Sequence, residues 1–197
     1  MAGVIKLTNE IDLAVDKAKR TILDGGVIVY PTDTLYGIGG NGLNSSVVER
    51  IYRIKKRDGR KPLSVIMASF DMVRSYCDID KAQELILQTN LPGPFTFIVK
   101  ANVQIPAANS DRTIGIRMPN YEFTKILALR CNVPIISTSA NISGERPASE
   151  VSDISKEVLG AVDLIIDGGK TRHGEGSTVV DLINNKMIRQ GTGTISL

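Results

Sequence analysis

An α/β fold with a twisted, mixed β-sheet is the class that this sequence predicts, and three features support it. Helical and strand-like patterns alternate along the 197 residues, an arrangement that packs helices against a sheet. Neither an internal repeat nor a low-complexity tract interrupts the alternation. No shift in composition marks a linker, so we expect a single domain over residues 1–197.

The first third of the chain predicts a helix, a strand and a second helix. Apolar residues recur at helical spacing over residues 10–24, and two glycines end that pattern. The apolar residues 27–30 predict a short strand, which Pro31 stops. Residues 46–57 predict the second helix, with Ser46 as its N-cap and Glu49 completing a capping box three residues later.

The remaining residues continue the alternation. The expected strands are residues 63–67, 95–100, 113–118, 133–137 and 163–166. The expected helices are residues 70–76, 80–89, 121–130 and 150–159. Residues 138–141 are expected to form a polar turn, and residues 167–176, which are rich in glycine and charge, a mobile loop. Residues 177–182 and 187–189 predict a hairpin around Asn184-Asn185.

Composition limits the class of protein. The first twenty residues are polar and lack the apolar segment of a signal peptide. No apolar run approaches the ~20 residues that a membrane helix needs. The two cysteines, Cys77 and Cys131, are too few for a disulfide framework or a metal cluster, and we expect them in the core. These observations predict a cytoplasmic protein with no membrane partner.

Basic residues are concentrated in one segment. Although the net charge is only +3, seven of the residues 50–61 are lysine or arginine, where even spacing would place about 1.5. Such a run usually forms a solvated face. This one gathers at the C-terminal end of a predicted helix and leads directly into a buried strand. A bound triphosphate, which would relieve the mutual repulsion of these cations, is therefore the alternative interpretation.

Two apparent phosphate-binding motifs fail on their spacing. Residues 37–42 match G-x-G-x-x-G, but six residues separate them from the preceding strand. The position twenty residues further on is Pro62, where a dinucleotide site needs an acid. Residues 169–171 resemble the end of a P-loop, but Leu164 stands where that motif needs a glycine. Any nucleotide must therefore be bound in another way.

Three polar stretches lie at strand ends, where α/β proteins usually place their sites. Residues 30–37 combine hydroxyls and a glycine, so they form either an ordinary turn or a backbone site for a carboxylate or phosphate. Residues 55–62 contain the basic cluster. Residues 137–144 carry four hydroxyls and an amide in the first seven positions, and they either bind a ligand or cap a helix.

No residue stands out as a covalent nucleophile. The only histidine, His173, lies in the expected glycine-rich loop, and a role at the surface is favoured over one in a catalytic triad. The sequence contains no His/Cys spacing typical of a metal site. This favours chemistry in which a substrate supplies the nucleophile and the protein supplies positioning and charge.

Seven segments, in this order, resemble the YrdC-type threonylcarbamoyl-AMP synthase family. They are Tyr-Pro-Thr-Asp-Thr-Leu-Tyr-Gly (30–37), Lys-Lys-Arg with Lys-Pro-Leu (55–57 and 61–63), Leu-Pro-Gly-Pro-Phe-Thr (91–96), Thr-Ile-Gly-Ile-Arg-Met-Pro (113–119), Ser-Thr-Ser-Ala-Asn-Ile-Ser-Gly (137–144), Ser-Thr-Val-Val-Asp (177–181) and Ile-Arg-Gln-Gly (188–191). Each is a weak signal, but the ordered set spans nearly the whole chain and is specific. The resemblance implies a YrdC/RibB-like fold with an open, concave, basic sheet surface.

The resemblance also implies a reaction. L-threonine, bicarbonate and ATP, with Mg²⁺ as the cofactor of ATP, give threonylcarbamoyl-AMP and pyrophosphate. The threonine amine takes up CO₂ or bicarbonate, and the resulting N-carboxylate attacks the α-phosphorus, where cations and Mg²⁺ stabilise the charge. The product serves the threonylcarbamoyl modification of tRNA adenosine, so the implied partner is a tRNA threonylcarbamoyltransferase complex. Whether tRNA contacts this chain directly stays open.

Site residues follow from the resemblance position by position. The implied L-threonine contacts are Thr34, Arg117, Ser137 and Ser177, with Arg117 pairing the substrate carboxylate. The implied ATP contacts are Lys55, Arg57, Lys61, Thr113, Ser139, Asn141 and Arg189. Of these, Lys55 and Arg57 are also the expected catalytic residues. No protein metal ligand is implied.

The sequence departs from the family pattern at several positions. Ile66 stands where many members carry a histidine, and Ser137-Thr138 replace a small residue and a proline. The sequence ends soon after residue 191, so closure over the site is expected from another element, such as the loop 167–176. The alternative function is that of a non-catalytic RNA-binding or ribosome-associated relative that uses the same basic surface. Retention of Lys55 and Asn141, among others, favours the enzyme.

Overall fold

A computed structural model describes residues 2–7, 11–59, 62–108 and 111–195. It has twelve described strands and six described α-helices. The strands are β1 (Gly3–Lys6), β2 (Ile28–Tyr30), β3 (Gly37–Gly39), β4 (Ser64–Ile66), β5 (Cys77–Asp78), β6 (Phe95–Ala101), β7 (Thr113–Arg117), β8 (Ile135–Ile136), β9 (Thr138–Ser139), β10 (Leu164–Asp167), β11 (Thr178–Asp181) and β12 (Lys186–Arg189). The helices are α1 (Ile11–Leu23), α2 (Ser45–Ile54), α3 (Phe70–Tyr76), α4 (Lys81–Asn90), α5 (Glu122–Cys131) and α6 (Lys156–Ala161).

The strands divide between two mixed sheets. The first sheet has the order β1-β10-β2-β3-β9, and the second has the order β12-β11-β6-β7-β4-β8, with β5 paired to β6. The β8–β9 segment crosses directly from one sheet to the other, because β8 belongs to the second sheet, β9 to the first, and only Ser137 lies between the two strands. The Ser137 amide donates to the carbonyl of Ser64 at 2.7 Å, which fixes this crossing against β4. The predicted mixed α/β class is confirmed.

The second sheet has one apolar and one more polar face, because side chains alternate along each strand. One face carries buried residues of the main hydrophobic core. They include Val65, Phe97, Val99, Ile114, Ile116 and Val180. The intervening positions mix polar and apolar residues: Ser64, Ile66, Thr96, Ile98, Gly115, Arg117, Ser177 and Val179. A Cβ at Gly115 would lie 2.6 Å from Ser64 Oγ, so a glycine keeps this polar face shallow.

A second core cluster packs α1 and α5 onto the first sheet. It contains Val15, Ile22, Ile28, Tyr30, Phe123 and Leu127, among others. Burial raises the pKa of Tyr30 to about 12, and its hydroxyl donates to the carbonyl of Ile136 at 2.8 Å. Cys77 and Cys131 are free, buried thiols, as expected. In the described ranges, none of the helices is long and apolar enough to cross a membrane.

The predicted capping of α2 is wrong. The helix begins at Ser45, and Asn44 is its N-cap. Asn44 Oδ1 accepts from the backbone N–H groups of Ser46 at 3.0 Å and Val47 at 3.3 Å. Ser46 therefore lies inside the first turn, and the capping box with Glu49 does not form.

Three further local predictions differ from the structure. Residues 37–39 are a strand, and the expected turn at 138–141 contains the short strand β9, because these segments pair with each other in an antiparallel register. The expected helix 150–159 divides into a 3₁₀-helix at Val151–Asp153 and the helix α6. Strands β1 and β5 were not predicted. The hairpin of β11 and β12 was predicted, and Asn185 has a φ of 49° in its turn.

The loop 167–176 is anchored by hydrogen bonds along its length. The Tyr36 hydroxyl donates to the carbonyl of Gly169 at 2.7 Å and accepts from the amide of Gly168 at 2.9 Å. The amides of His173 and Gly174 donate to the carbonyls of Asp33 and Thr34. The expected mobile loop is therefore held against the polar stretch 30–37.

Candidate functional site

A cavity of about 520 Å³ lies over the polar face of the second sheet. Its walls come from the β2–β3 connection, from β4, β6 and β7, from the β8–β9 crossing, and from the segment before β11 and the end of β12. Among the described residues that line it, the charged ones are Arg57, Arg117, Arg189 and Glu175. Three guanidinium groups and one carboxylate favour an anionic ligand. We call this the main cavity.

Arg117 lies at the end of β7 and is only 8% exposed. Its Nη2 donates to Thr34 Oγ1 at 2.8 Å, and its Nη1 donates to Ser137 Oγ at 3.3 Å. The carboxylate of Asp33 is 3.5 Å from Nη2. Burial lowers the pKa of Arg117, and Asp33 acts in the opposite direction. The planar fork of this side chain is suited to bidentate binding of a carboxylate.

The stretch around Thr34 folds into a hydroxyl-stabilised turn. Thr32 Oγ1 donates to the carbonyl of Leu35 at 2.7 Å and accepts from the amides of Thr34 and Leu35. The hydroxyls of Thr32 and Thr34 are 2.9 Å apart. Because Thr32 fixes this turn, the hydroxyl of Thr34 is directed towards Arg117.

Ser177 and Arg189 form the opposite side of the main cavity. Arg189 Nη2 donates to the Ser177 carbonyl at 2.8 Å and to its Oγ at 3.3 Å. The Ser177 and Thr96 hydroxyls lie 2.7 Å apart. Partial burial of its guanidinium lowers the pKa of Arg189, although the residue as a whole is exposed. A Cβ at Gly176 would lie 3.2 Å from Arg189 Nη2, so glycine allows this close approach.

A second cavity, of about 410 Å³, adjoins the first. It is lined by Lys55, Lys56, Arg57, Asp58, Ser139, Asn141, Ser143 and Gly144. Arg57 and Ser139 line both cavities, so the two spaces share a wall. Asn141 Oδ1 is buried and has no hydrogen-bond partner among the residues that the structure describes. Arg57 Nε is likewise buried and has no hydrogen-bond partner among the described residues.

Lys55 is a buried lysine at the edge of this second cavity, with 2% of its surface exposed. Its Nζ donates to the carbonyl of Asn141 at 2.8 Å and to the carbonyl of Ser139. Burial, and secondarily the charge of Arg57, lower its pKa to about 8. Lys55 thus fixes the 139–141 backbone from the wall of the second cavity.

Most of the residues predicted as site residues lie at these two cavities. Those at the main cavity are Thr34, Arg57, Arg117, Ser137, Ser139, Ser177 and Arg189, and those at the second are Lys55, Arg57, Ser139 and Asn141. Thr113 lines neither cavity, although it shares a face of β7 with Gly115 and Arg117. Lys61 lies outside the described residues.

Ile66 is buried and has Arg117 as its partner in the parallel pairing of β4 and β7. Side chains of paired residues point to the same face, so an apolar side chain flanks the Arg117 subsite at this position. Ile66 also belongs to the second core cluster with Tyr30.

The described part of the basic cluster, residues 50–59, does not form one surface. Arg50 pairs with Asp163 at 2.6 Å, and Lys56 pairs with Glu157 at 2.9 Å. Lys55 points into the protein, and of the described cluster only Arg57 reaches the main cavity. Among the described lining residues, two of the three cations, Arg117 and Arg189, are distant from the cluster in sequence.

Several residues of the main cavity were not predicted from the sequence. Thr96 lies in the family segment 91–96, but no role was predicted for it. Its position between Phe95 and Phe97 in a strand could have placed it on the polar face, because side chains alternate between faces. Asp33, which contacts Arg117, was likewise part of a quoted segment. The sequence around Glu175 contains only its two glycine neighbours as a local feature, and these do not indicate a site residue.

Comparison with known proteins identifies the family. Residues 20–191 match the Sua5/YciO/YrdC family, described as "Telomere recombination". This chain belongs to that family. A provisionally named threonylcarbamoyl-AMP synthase of Methanocaldococcus jannaschii is 37% identical over 179 residues, which make up 91% of this chain and 85% of that relative. The resemblance stated from the sequence is confirmed.

Two solved structures of the family share this fold. Sua5 of Pyrococcus abyssi, solved in complex with L-threonine, has a TM-score of 0.85 and 30% identity, covering 93% of this chain and 54% of its own. E. coli YciO has a TM-score of 0.89 and 28% identity, covering 98% of both chains. The chain therefore spans about half the length of Sua5 and nearly all of YciO.

Proposed function

We propose that this chain is a nucleotidyltransferase that forms threonylcarbamoyl-AMP, pyrophosphate and water from L-threonine, bicarbonate and ATP. The observation that carries the proposal is the shared wall of the two cavities. Arg57 and Ser139 line both, so a small amino acid in the main cavity and a phosphate chain in the second would meet there. The name of the M. jannaschii relative and the L-threonine complex of Sua5 support the same activity.

The amino-acid subsite is assigned to Arg117 and the hydroxyls around it. In this proposal the threonine carboxylate binds the Arg117 fork, beside Thr34 and Ser137. Ser177 contacts the substrate from the opposite wall, where Arg189 holds its carbonyl. This orientation directs the amine towards the centre of the cavity, so that the N-carboxylate formed from bicarbonate can reach the α-phosphorus.

The nucleotide subsite is assigned to the second cavity. Lys55 and Arg57 place positive charge beside the phosphates, where negative charge develops as pyrophosphate leaves. Ser139 contributes its hydroxyl at the boundary, and Arg189 approaches from β12. Lys61 and Thr113 remain predicted ATP contacts from the resemblance alone.

Mg²⁺ is proposed to accompany ATP. In the described portion of the chain, no group of three or more His, Cys, Asp or Glu residues could hold a metal ion by itself. Asn141 Oδ1 fits as a protein ligand, since it is a buried oxygen without a hydrogen-bond partner there and its amide nitrogen is committed to the carbonyls of Ile142 and Glu145. Triphosphate oxygens would supply other ligands. The ion would neutralise charge on the reacting phosphoryl group.

Pyrophosphate release tests the proposal. The protein is incubated with ATP, Mg²⁺, bicarbonate and L-threonine, and threonine is omitted in the control. Threonine-dependent pyrophosphate release, with threonylcarbamoyl-AMP detected by mass spectrometry, is the expected result. Salt-dependent RNA binding without pyrophosphate release would overturn the proposal and favour the non-catalytic RNA-binding alternative.

The cellular setting is also a proposal. The buried free thiols Cys77 and Cys131 are compatible with a reducing compartment, which supports a cytoplasmic location. There the product would pass to a tRNA threonylcarbamoyltransferase complex.

A further inference from the structure

Glu175 is the one carboxylate-bearing residue among the described residues that line the main cavity. The other charged residues of that lining are arginines. The nearby carboxylate of Asp33 is committed, since Oδ2 accepts from the amide of Asn120 at 2.9 Å and Oδ1 lies 3.5 Å from Arg117 Nη2. Glu175 is exposed and therefore available to a ligand in the cavity.

The backbone on both sides of Glu175 is fixed by hydrogen bonds. The amide of Gly174 donates to the carbonyl of Thr34 at 3.1 Å, and the carbonyl of Gly176 accepts from the amide of Thr192 at 3.1 Å. Consecutive Cα atoms are about 3.8 Å apart, so Glu175 is confined between these two anchors. It therefore lies between the Thr34–Arg117 side and the Ser177–Arg189 side of the cavity.

An α-amino acid carries a negative carboxylate and a positive ammonium group, and both would enter the main cavity. When its carboxylate binds Arg117, its ammonium group must lie within a few bonds of that site, in a cavity with three guanidinium groups. Repulsion from those groups disfavours the ammonium group unless an anion is near. Burial lowers the pKa of Arg189, and the charge of Glu175 acts in the opposite direction, so the carboxylate lies close enough to interact with a guanidinium group of the cavity.

We propose that Glu175 accepts hydrogen bonds from the α-ammonium group of the substrate amino acid, and so selects α-amino acids over carboxylates that lack an amine. The proposal rests on the proposed function, because it assigns the amino acid to the Arg117 subsite. Glu175 is in this role a specificity-determining residue.

The experiment compares two ligands and two matched variants. The ligands are L-threonine and 2,3-dihydroxybutanoate, in which a hydroxyl replaces the amine, and binding is measured by isothermal titration calorimetry. Glu175→Gln removes the charge at nearly constant shape. Glu49→Gln removes an equal charge from the exposed face of α2, outside both cavities.

Glu175→Gln is expected to weaken L-threonine binding about tenfold, the effect of losing a hydrogen bond between charged groups. It should not weaken binding of 2,3-dihydroxybutanoate, and Glu49→Gln should change neither affinity. Equal weakening of both ligands would indicate a merely structural role and overturn the proposal, as would unchanged threonine binding in Glu175→Gln.

The outcome is separable from the proposed function. If the wild-type protein binds L-threonine with the expected dependence on Glu175 but releases no pyrophosphate, the proposed reaction fails and the assignment of Glu175 stands. If pyrophosphate is released and Glu175→Gln binds threonine like the wild type, only the assignment of Glu175 fails. If the wild type binds no L-threonine, both are overturned.

Discussion

Replacing Arg117 by lysine keeps a positive charge at the end of β7 but removes the planar fork that donates to Thr34 and Ser137. An ammonium group is a point charge and cannot reproduce two parallel N–H···O bonds to a carboxylate. Arg117→Lys should therefore weaken L-threonine binding while leaving ATP binding within about twofold, because Arg117 does not line the second cavity.

The magnitude follows from the hydrogen bonds that are lost. One charge-assisted bond to the substrate carboxylate contributes about 1.5–3 kcal/mol, which corresponds to roughly 10- to 150-fold in affinity. Two bonds within the free protein, to Thr34 and Ser137, are also weakened or lost. At about 1 kcal/mol each, they predict a loss of roughly 2 kcal/mol in unfolding free energy and a Tm lower by roughly 4–8 °C.

Calorimetric titration with L-threonine and with ATP, well below the Tm, measures both effects, and thermal unfolding gives the stability change. Arg130→Lys is the matched control, because Arg130 is exposed and pairs with Asp12 and Asp16 on α1, away from both cavities. The control should bind L-threonine like the wild type. Wild-type threonine affinity in Arg117→Lys, or an equal loss of ATP affinity, would refute the assigned subsite.

Three other substitutions test the site and the fold. Arg57→Ala removes the cation shared by the two cavities and should raise the KM for ATP roughly tenfold or more in the pyrophosphate assay; an unchanged KM would contradict the shared wall. Gly176→Ala crowds the guanidinium of Arg189 and should raise the threonine KM about three- to tenfold without unfolding, as circular dichroism would show. Asn44→Ala should lower stability by about 1 kcal/mol in urea unfolding, whereas Ser46→Ala should have little effect; the reverse order would restore Ser46 as the cap.

The start of α2 shows where local sequence rules reach their limit. Asn44, Ser45 and Ser46 are all acceptable N-cap residues, and the presence of Glu49 three residues after Ser46 favoured the wrong one. The extended conformation of Asn44, with φ of −100° and ψ of 108°, is set by the chain that enters the helix. That entry follows Gly42, whose amide donates to the carbonyl of Pro134, a residue distant in sequence.

The glycine-rich segment 37–39 shows a different limit. Three residues with two glycines have little intrinsic preference for a strand. They form β3 because β2 and β9 provide partners on both sides, and because glycine is required there: a Cβ at Gly39 would lie 1.8 Å from the carbonyl oxygen of Ile136. Strand formation is therefore a consequence of tertiary packing, whereas longer apolar patterns such as α1 were predictable from periodicity.

The positions of charge in the sequence and in the folded protein lead to the same conclusion. The cations of the segment 50–61 are adjacent in sequence, yet α2 ends at Ile54, Lys55 caps it, and the chain changes direction at Lys56, which has a φ of 47°. Arg50 and Lys56 consequently form ion pairs with acids outside the cluster, and Lys55 turns inward. Adjacent strands bring distant residues together, because they align polar positions that are far apart in sequence on one face of the sheet. Of the three arginines in the described lining of the main cavity, the local charge density indicated only Arg57, whereas Arg117 and Arg189 were predictable only from the family segments that contain them.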